Sequence, residues 1–367
     1  MKISSFKTYK FDLFLRQPLV IGKQRLINRS GYIVELRAGD DHVALGEASP
    51  LPGMSRESLM QAETDIERLR SAVFGRDLPD GLEELAGGFE NWLRDYNLVP
   101  SVRFAFETAV LCLFSARRGV PLCRFICASP RDSISVNGLL SGSPEEIMAK
   151  ARRLLERGYT AFKLKVGRRS IQEDEEMTRK VRHLIGNEAT LRLDANRAWS
   201  IEEALAFSNA VADCKIDYLE EPVKTLTLFQ ALINAAEVPL PLALDESLQT
   251  LEPEGLSSFS GIKAVILKPT LWGFERTIQT AQRATGLGMT PVVSSAFESG
   301  VGLEALAQIA ACVNTNDVPA GLDTLDVFEE DLRVDPFPIE GGRLSLSALS
   351  DVHQGVKQQM LKVRCDE

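Results

Sequence analysis

The strongest constraint on this chain is a train of short apolar runs that recurs at near-constant spacing through its second half. The runs are "ISVNGLL", "AFKLKVG", "TLRLDAN", "IDYLEEP", "PLALDES", "KAVILKP", "TPVVSSA" and "VPAGLDT". Each has the length of a buried strand. Amphipathic segments separate them, among them "SPEEIMAKARRLLERG" and "SIEEALAFSNAVADC". Both open with Ser followed by Glu, the arrangement that caps a helix N-terminus. Strands alternating with helices predict βαβ units and a parallel sheet. Seven or eight such units in about 190 residues point to a TIM-type barrel. An open doubly wound sheet is the competing architecture, but no G-x-G-x-x-G follows the first strand.

The chain ahead of this repeat reads differently. "ISSFKTYKFDLFL" and "GYIVELRA" alternate apolar and polar residues, as half-buried antiparallel strands do. "HVALGEASPLPGMS" ends a strand in a Pro- and Gly-rich loop, and "SRESLMQAETDIERLRSAVFG" and "SVRFAFETAVLCLFSARRG" read as helices. The expected organisation is an α+β region over 1–125, an α/β barrel over 126–325 and a C-terminal hairpin or return segment over 326–367.

One charged residue stands near the end of each of five successive runs: Lys165, Asp194, Glu220, Asp245 and Lys268. The steps between them are 29, 26, 25 and 23 residues, about one βα unit each. In a barrel the C-terminal strand ends converge on one mouth, where such enzymes place their chemistry. Three carboxylates from adjacent strands repel one another unless a cation lies between them, and an all-oxygen set suits Mg²⁺ or Mn²⁺. Lysines flanking such an ion are expected to have lowered pKa values, so that one serves as a base. The arrangement fits abstraction of a proton α to a carboxylate. Lys163 and Lys165 share one strand face by period-2 alternation, with Leu164 on the other.

Composition narrows the partners. The formal net charge of −9 argues against a nucleic-acid binder and against an anionic membrane surface. No segment reaches the roughly 20 apolar residues of a membrane span, and the N-terminus has no run of signal-peptide type. The three histidines, His42, His183 and His353, show no metal-ligand spacing. The six scattered cysteines read as reduced thiols, so the expected compartment is the cytoplasm. Oligomeric state is open.

These residues resemble the enolase superfamily, in the muconate-lactonising branch that carries a lysine on each side of the metal. The resemblance covers nearly the whole chain and implies a modified TIM barrel, (β/α)7β, with an N-terminal α+β capping domain and a C-terminal return to the cap. Within the branch, "GEASPLPGMS", "LRLDANRAW" and "VILKPTLWG" are most similar to the o-succinylbenzoate synthase family. The resemblance implies Asp194, Glu220 and Asp245 as ligands of Mg²⁺, Lys165 as base and Lys268 as the opposite lysine. Lys163 would tune Lys165 and touch the substrate carboxylate.

The implied reaction is Mg-dependent syn-dehydration of 2-succinyl-6-hydroxy-2,4-cyclohexadiene-1-carboxylate to 2-succinylbenzoate, a lyase step of menaquinone biosynthesis. N-succinylamino-acid racemase, dipeptide epimerase and muconate cycloisomerase are the alternatives, because these residues do not separate elimination from racemisation. By the same resemblance Ser294, Ser295 and Gly321 contact the succinyl tail. Arg192, on the Asp194 face of its strand, either balances the carboxylates beside substrate or forms an ion pair within a barrel layer. Glu221, the neighbour of Glu220, either supports the cluster from behind or serves as a helix N-terminal charge. The cap loop Ser49 to Met54 either closes the mouth or is a plain turn.

Overall fold

The computed structural model describes residues 1–39, 42–234, 238–313, 315–349 and 355–365, so His353 lies outside the described residues. The first strands are β1 (Ile3–Ile21), β2 (Gln24–Ala38) and β3 (His42–Ala48), paired antiparallel in that order. Their alternation places Phe6, Val34 and Leu36 inward. Helices α1 (Leu59–Val73), α2 (Gly88–Leu93), α3 (Pro100–Arg117) and α4 (Leu122–Ile126) complete the cap, with α3 packed on β2 and β3. Ser58 and Gln61 form a capping box at the start of α1.

The barrel strands are β4 (Ser133–Leu140), β5 (Ala161–Lys165), β6 (Thr190–Asp194), β7 (Ile216–Glu220), β8 (Leu242–Leu244), β9 (Ala264–Leu267), β10 (Thr290–Val293) and β11 (Ala320–Asp323). From β4 to β10 each pairs in parallel with the next, and β11 pairs with β4. A parallel bridge between Ser294 and Gly321 joins β10 to β11 and closes the ring. All eight runs read from the sequence are these strands.

The connections are α5 (Pro144–Glu156), α6 (Ile171–Ile185), α7 (Ile201–Ala210), α8 (Leu226–Asn234), α9 (Phe274–Gly286) and α10 (Gly300–Val313). Between β8 and β9 the connection is made of 3-10 turns, Glu246–Thr250 and Pro253–Phe259. The architecture is therefore (β/α)7β. Ser143 and Ser200 cap α5 and α7 through the Glu three residues on, as the sequence pattern predicts.

Alternation decides which residues enter the barrel. On β5, Phe162 and Leu164 are buried against the helices, each worth about 1.5–3 kcal/mol. Lys163 and Lys165 point the other way. The lower interior is apolar, formed by Tyr218, Ala243, Ala264, Ile266 and Val292. The lysines and carboxylates at the strand ends stand above this plug.

The C-terminal segment divides its packing. The hairpin of β12 (Ile339–Glu340) and β13 (Arg343–Ser345) adds antiparallel to barrel strand β4. β14 (Lys362–Cys365) then returns to the cap and pairs with β1. Among the described residues Cys112, Cys123, Cys127, Cys214 and Cys312 are free thiols. No described helix is long and apolar enough to cross a membrane.

Candidate active site

Neighbouring parallel strands bring the ionic residues into register. Lys165 lies opposite Asp194 across β5 and β6, and Asp194 opposite Glu220 across β6 and β7. Asp245 follows β8 directly. Carboxylate oxygens of Asp194, Glu220 and Asp245 lie within 4.8 Å of one another, all buried. Lys163 Nζ sits 2.8 Å from Asp194 Oδ2 and 2.7 Å from Glu220 Oε1. Lys165 Nζ donates to Asp194 Oδ2 at 2.6 Å and to Asn196 Oδ1 at 2.7 Å. On the far side Lys268 donates to Asp245 Oδ2.

The lysines do not neutralise the trio evenly. Burial opposes the charge of Asp194, but Lys163 and Lys165 outweigh it and hold that carboxyl well below its usual range. For Glu220, burial and then Asp194 push the carboxyl well above its usual range, against Lys163. Its Oε2 atom is buried with no hydrogen-bond partner among the described residues. An orphaned carboxylate oxygen inside an all-oxygen cluster fits a hard divalent cation. Among the protein's own charges, Lys163 and Lys268 stand above the ordinary lysine value, opposite to what a bound cation is expected to impose. Burial favours neutral Lys163 and Lys268, yet the carboxylates, chiefly Asp194 for Lys163 and Asp245 for Lys268, hold both raised. Lowering them requires a further positive charge in the cluster.

A cavity of about 930 Å³ opens above the cluster. Lys163, Lys165 and Lys268 line its floor, and Leu19, Ile21, Leu51 and Met54 of the cap line its roof. The cap loop, read as either a closure of the mouth or a plain turn, thus faces the mouth. The hairpin end at Leu19 to Gly22 was not legible as site-forming, because its sequence is only that of a strand turning back.

Ser294, Ser295 and Gly321 also line the cavity, but the two serines differ. Ser295 Oγ donates to Glu298 Oε2 at 2.7 Å and accepts from Phe297 N and Thr324 Oγ1. Its hydroxyl is fully engaged inside the protein. Ser294 Oγ makes one long contact, 3.5 Å to Gly321 O. A Cβ at position 321 would stand 2.5 Å from Ser294 Oγ and 3.1 Å from Ser294 Cβ, so any larger residue here would displace that side chain.

Arg192 requires a correction. It shares the strand face of Asp194 but lies one layer down, away from the cavity of the lysines. Its guanidinium bonds Asp217 Oδ2 at 3.0 Å, Asn137 Oδ1 at 3.2 Å and Pro319 O at 2.6 Å, and lies over the Tyr218 ring. It lines a separate cavity of about 340 Å³ at the N-terminal strand ends. The ion pair within a barrel layer is the arrangement found.

Glu221 holds the loop after β8, accepting from Asp245 N at 2.9 Å and Ser247 N at 2.7 Å. Sequence reasoning missed Glu246, which accepts from Asn196 Nδ2 at 3.1 Å and lines the cavity. The signal was its place directly after Asp245. Asn196, Arg197, Glu221 and Phe297 all have positive φ, the backbone strain that collects around functional mouths.

The cap is seated by a buried guanidinium. Arg29 donates to Pro50 O at 2.9 Å and Ser49 O at 2.8 Å in the cap, and to Phe297 O at 3.1 Å and Ala296 O at 3.4 Å in the barrel. Beside it, Glu47 accepts from Ser299 N at 3.0 Å and Gly302 N at 2.9 Å, which open α10.

Comparison with known proteins agrees with this geometry. Residues 146–350 match the family described as enolase C-terminal domain-like, and residues 3–113 match the MenC N-terminal domain. The o-succinylbenzoate synthase of Aliivibrio salmonicida is 32% identical over 357 residues, 94% of this chain and 97% of that protein. The chloroplastic protein PHYLLO of Arabidopsis thaliana is 31% identical over 87% of this chain, which spans only 20% of PHYLLO. The muconate lactonizing enzyme from Pseudomonas fluorescens, solved with muconolactone, has a TM-score of 0.86 at 22% identity, covering 98% of both chains. A dipeptide epimerase from Enterococcus faecalis, solved with Mg and a dipeptide, has a TM-score of 0.83 at 22% identity, covering 94% of this chain and 97% of its own.

Proposed function

This chain belongs to the enolase superfamily, and from that premise we propose that it is an o-succinylbenzoate synthase, a lyase. It dehydrates 2-succinyl-6-hydroxy-2,4-cyclohexadiene-1-carboxylate to 2-succinylbenzoate, the step that menaquinone biosynthesis requires in the cytoplasm. The likeness to o-succinylbenzoate synthases over 94% of the chain selects this reading, and one observation carries its chemistry. Lys165 and Lys268, from β5 and β9, flank a buried carboxylate trio and line one cavity.

Asp194, Glu220 and Asp245 are the residues that hold the cation, Mg²⁺ by their hard oxygen donors, with Mn²⁺ as a substitute. When bound, the cation supplies Lewis acidity and positive charge for the developing enediolate. Lys165 takes the proton α to the ring carboxylate. Asp194 and Asn196 fix its Nζ from two sides, so the lone pair is aimed rather than free to wander. The C–H electron pair moves onto the ring carboxylate, then returns through the ring as the C–O bond breaks. Lys165, now protonated, lies on the same face and gives its proton to the departing hydroxide, releasing water. Lys268 keeps its charge near the delocalised intermediate, and Lys163 balances the cluster from below. The cap roof keeps solvent out during the sequence. In this scheme 1–125 is the cap, 126–325 the catalytic barrel and 326–367 the return segment.

The test is direct. Purified protein with Mg²⁺ and the cyclohexadiene substrate should bleach the diene absorbance, and no loss of absorbance sinks the reading. A second reading, racemisation of an N-acylated amino acid or dipeptide, is favoured by the two facing lysines themselves, since a racemase needs a proton carrier on each side.

A further inference from the structure

We infer that Arg168 is a specificity-determining residue, the cation at the cavity rim that holds the distal carboxylate of a dicarboxylate substrate. The inference rests on the synthase reading above and names what that reading leaves open, namely which group of this chain recognises the far end of the succinyl arm.

Two consecutive arginines, Arg168 and Arg169, stand in the loop that follows Lys165. Gly167 takes φ +79, and a Cβ there would stand 2.5 Å from Ala198 Cβ and 3.0 Å from Ala195 O, so the loop lies tightly against the loop after β6. Asp174, fully buried on α6, fastens it. Its carboxylate accepts from Gly167 N at 2.6 Å and pairs with Arg169 at 3.4 Å. Arg169 also donates to Gly142 O at 2.6 Å. Arg169 is thereby consumed as a fastener, and Arg168 is left facing the cavity it lines.

Three arginines line this cavity, and they are not equivalent. Arg56 donates to Gln249 O and ties the cap to the barrel. Arg197 is paired with Glu221 at 3.3 Å and donates to Ser247 Oγ at 2.9 Å. Arg168 is exposed and has no hydrogen-bond or ion-pair partner among the described residues. Its backbone is fixed while its guanidinium is unspent.

The proposed substrate carries two carboxylates. One belongs beside the reacting carbon, over the trio and the lysines. The other ends the succinyl arm, a few bonds away, where the inference sets it toward the rim. A carboxylate drawn to the mouth needs a counter-charge, and a guanidinium offers a bidentate one. The arm's polar end is thereby read by charge, while Leu19, Leu51 and Met54 cover its methylenes.

The experiment uses the Mg²⁺-loaded full chain as wild type, Arg168→Met and Arg168→Lys. Turnover of the cyclohexadiene substrate is measured together with competitive inhibition by 2-succinylbenzoate and by 2-butyrylbenzoate, which lacks the distal carboxylate. Wild type should bind 2-succinylbenzoate at least about tenfold more tightly than 2-butyrylbenzoate. R168M should raise KM by about tenfold with kcat within about twofold, and bind the two inhibitors alike. R168K should fall between. If R168M keeps the wild-type preference, or weakens both inhibitors equally, the inference is overturned while the synthase reading stands. If wild type itself fails to turn over the substrate, the synthase reading fails and takes the inference with it.

Discussion

Lys165 and Asp194 face each other in register on adjacent strands, and the ammonium of one lies 2.6 Å from a carboxylate oxygen of the other. The pair fixes Lys165, the proposed base, at the edge of the carboxylate cluster. Lys165→Ala should therefore lower kcat by roughly 10³-fold, the scale of a lost general base, while leaving the fold intact. Single-turnover kinetics and a circular dichroism melt check both parts. Retained turnover would remove Lys165 from the chemistry.

Lys268 separates elimination from racemisation. In the same-face dehydration it carries charge and not a proton, so Lys268→Arg should leave measurable synthase turnover. A racemase would lose its reaction altogether with the same substitution. Parallel assays with the cyclohexadiene and with an N-succinylamino acid in D₂O, read for deuterium at Cα, distinguish the two.

The buried trio predicts a metal-dependent melt. A ligand that binds only the folded state stabilises it by about 2.7 kcal/mol at a hundredfold excess over Kd. Mg²⁺ should therefore raise Tm of chelator-treated protein, and Asp245→Asn should blunt the rise. A Tm indifferent to Mg²⁺ would argue against a cation between these carboxylates.

The two serines of the seventh strand end should part company. Ser295 is engaged in three hydrogen bonds within the protein. Ser295→Ala should cost about 1–3 kcal/mol of stability by stranding buried partners. Ser294→Ala should leave stability nearly unchanged and act on KM. Denaturant titration beside steady-state kinetics reads both, and a reversed pattern would contradict the hydrogen bonding described.

Glu47 gives a pH prediction away from the cluster. Burial, partly offset by the hydroxyls of Ser299 and Ser49, raises its carboxyl above the ordinary value of 4.5. A raised folded-state pKa means that protonation favours folding. That contribution is present at pH below the unfolded value and is lost as pH rises through the folded one. Glu47→Gln mimics the protonated group at every pH. Its stability relative to wild type should therefore improve as pH climbs from about 4.5, as measured by melts across the range. A difference that is flat with pH would refute the shift.

Most of the barrel was legible because its strands are buried on both faces and leave continuous apolar runs. The cluster was legible because a charge at the end of such a run has few other uses. Arg192 shows where the reading fails. Period-2 alternation gives the face of a strand but not the layer along it, and Asp217, which captures Arg192, is distant in sequence and unremarkable there. Ser295 fails differently. A hydroxyl at a strand end looks available until Glu298, three residues on, is seen to turn back onto it. The roof at Leu19 to Gly22 depends on how a hairpin leans over another domain, which no local pattern records.

Arg29 grips main-chain oxygens alone, two from the cap and two from the barrel. A clasp of this kind is indifferent to the side chains it passes. Side chains at 49, 50, 296 and 297 can change without removing its acceptors, and the cavity-lining Leu51, Met54 and Ser295 stand beside them. Change of substrate is thereby uncoupled from the seating of the lid, which leaves the scaffold free to take on new chemistry at its mouth while the two domains stay joined.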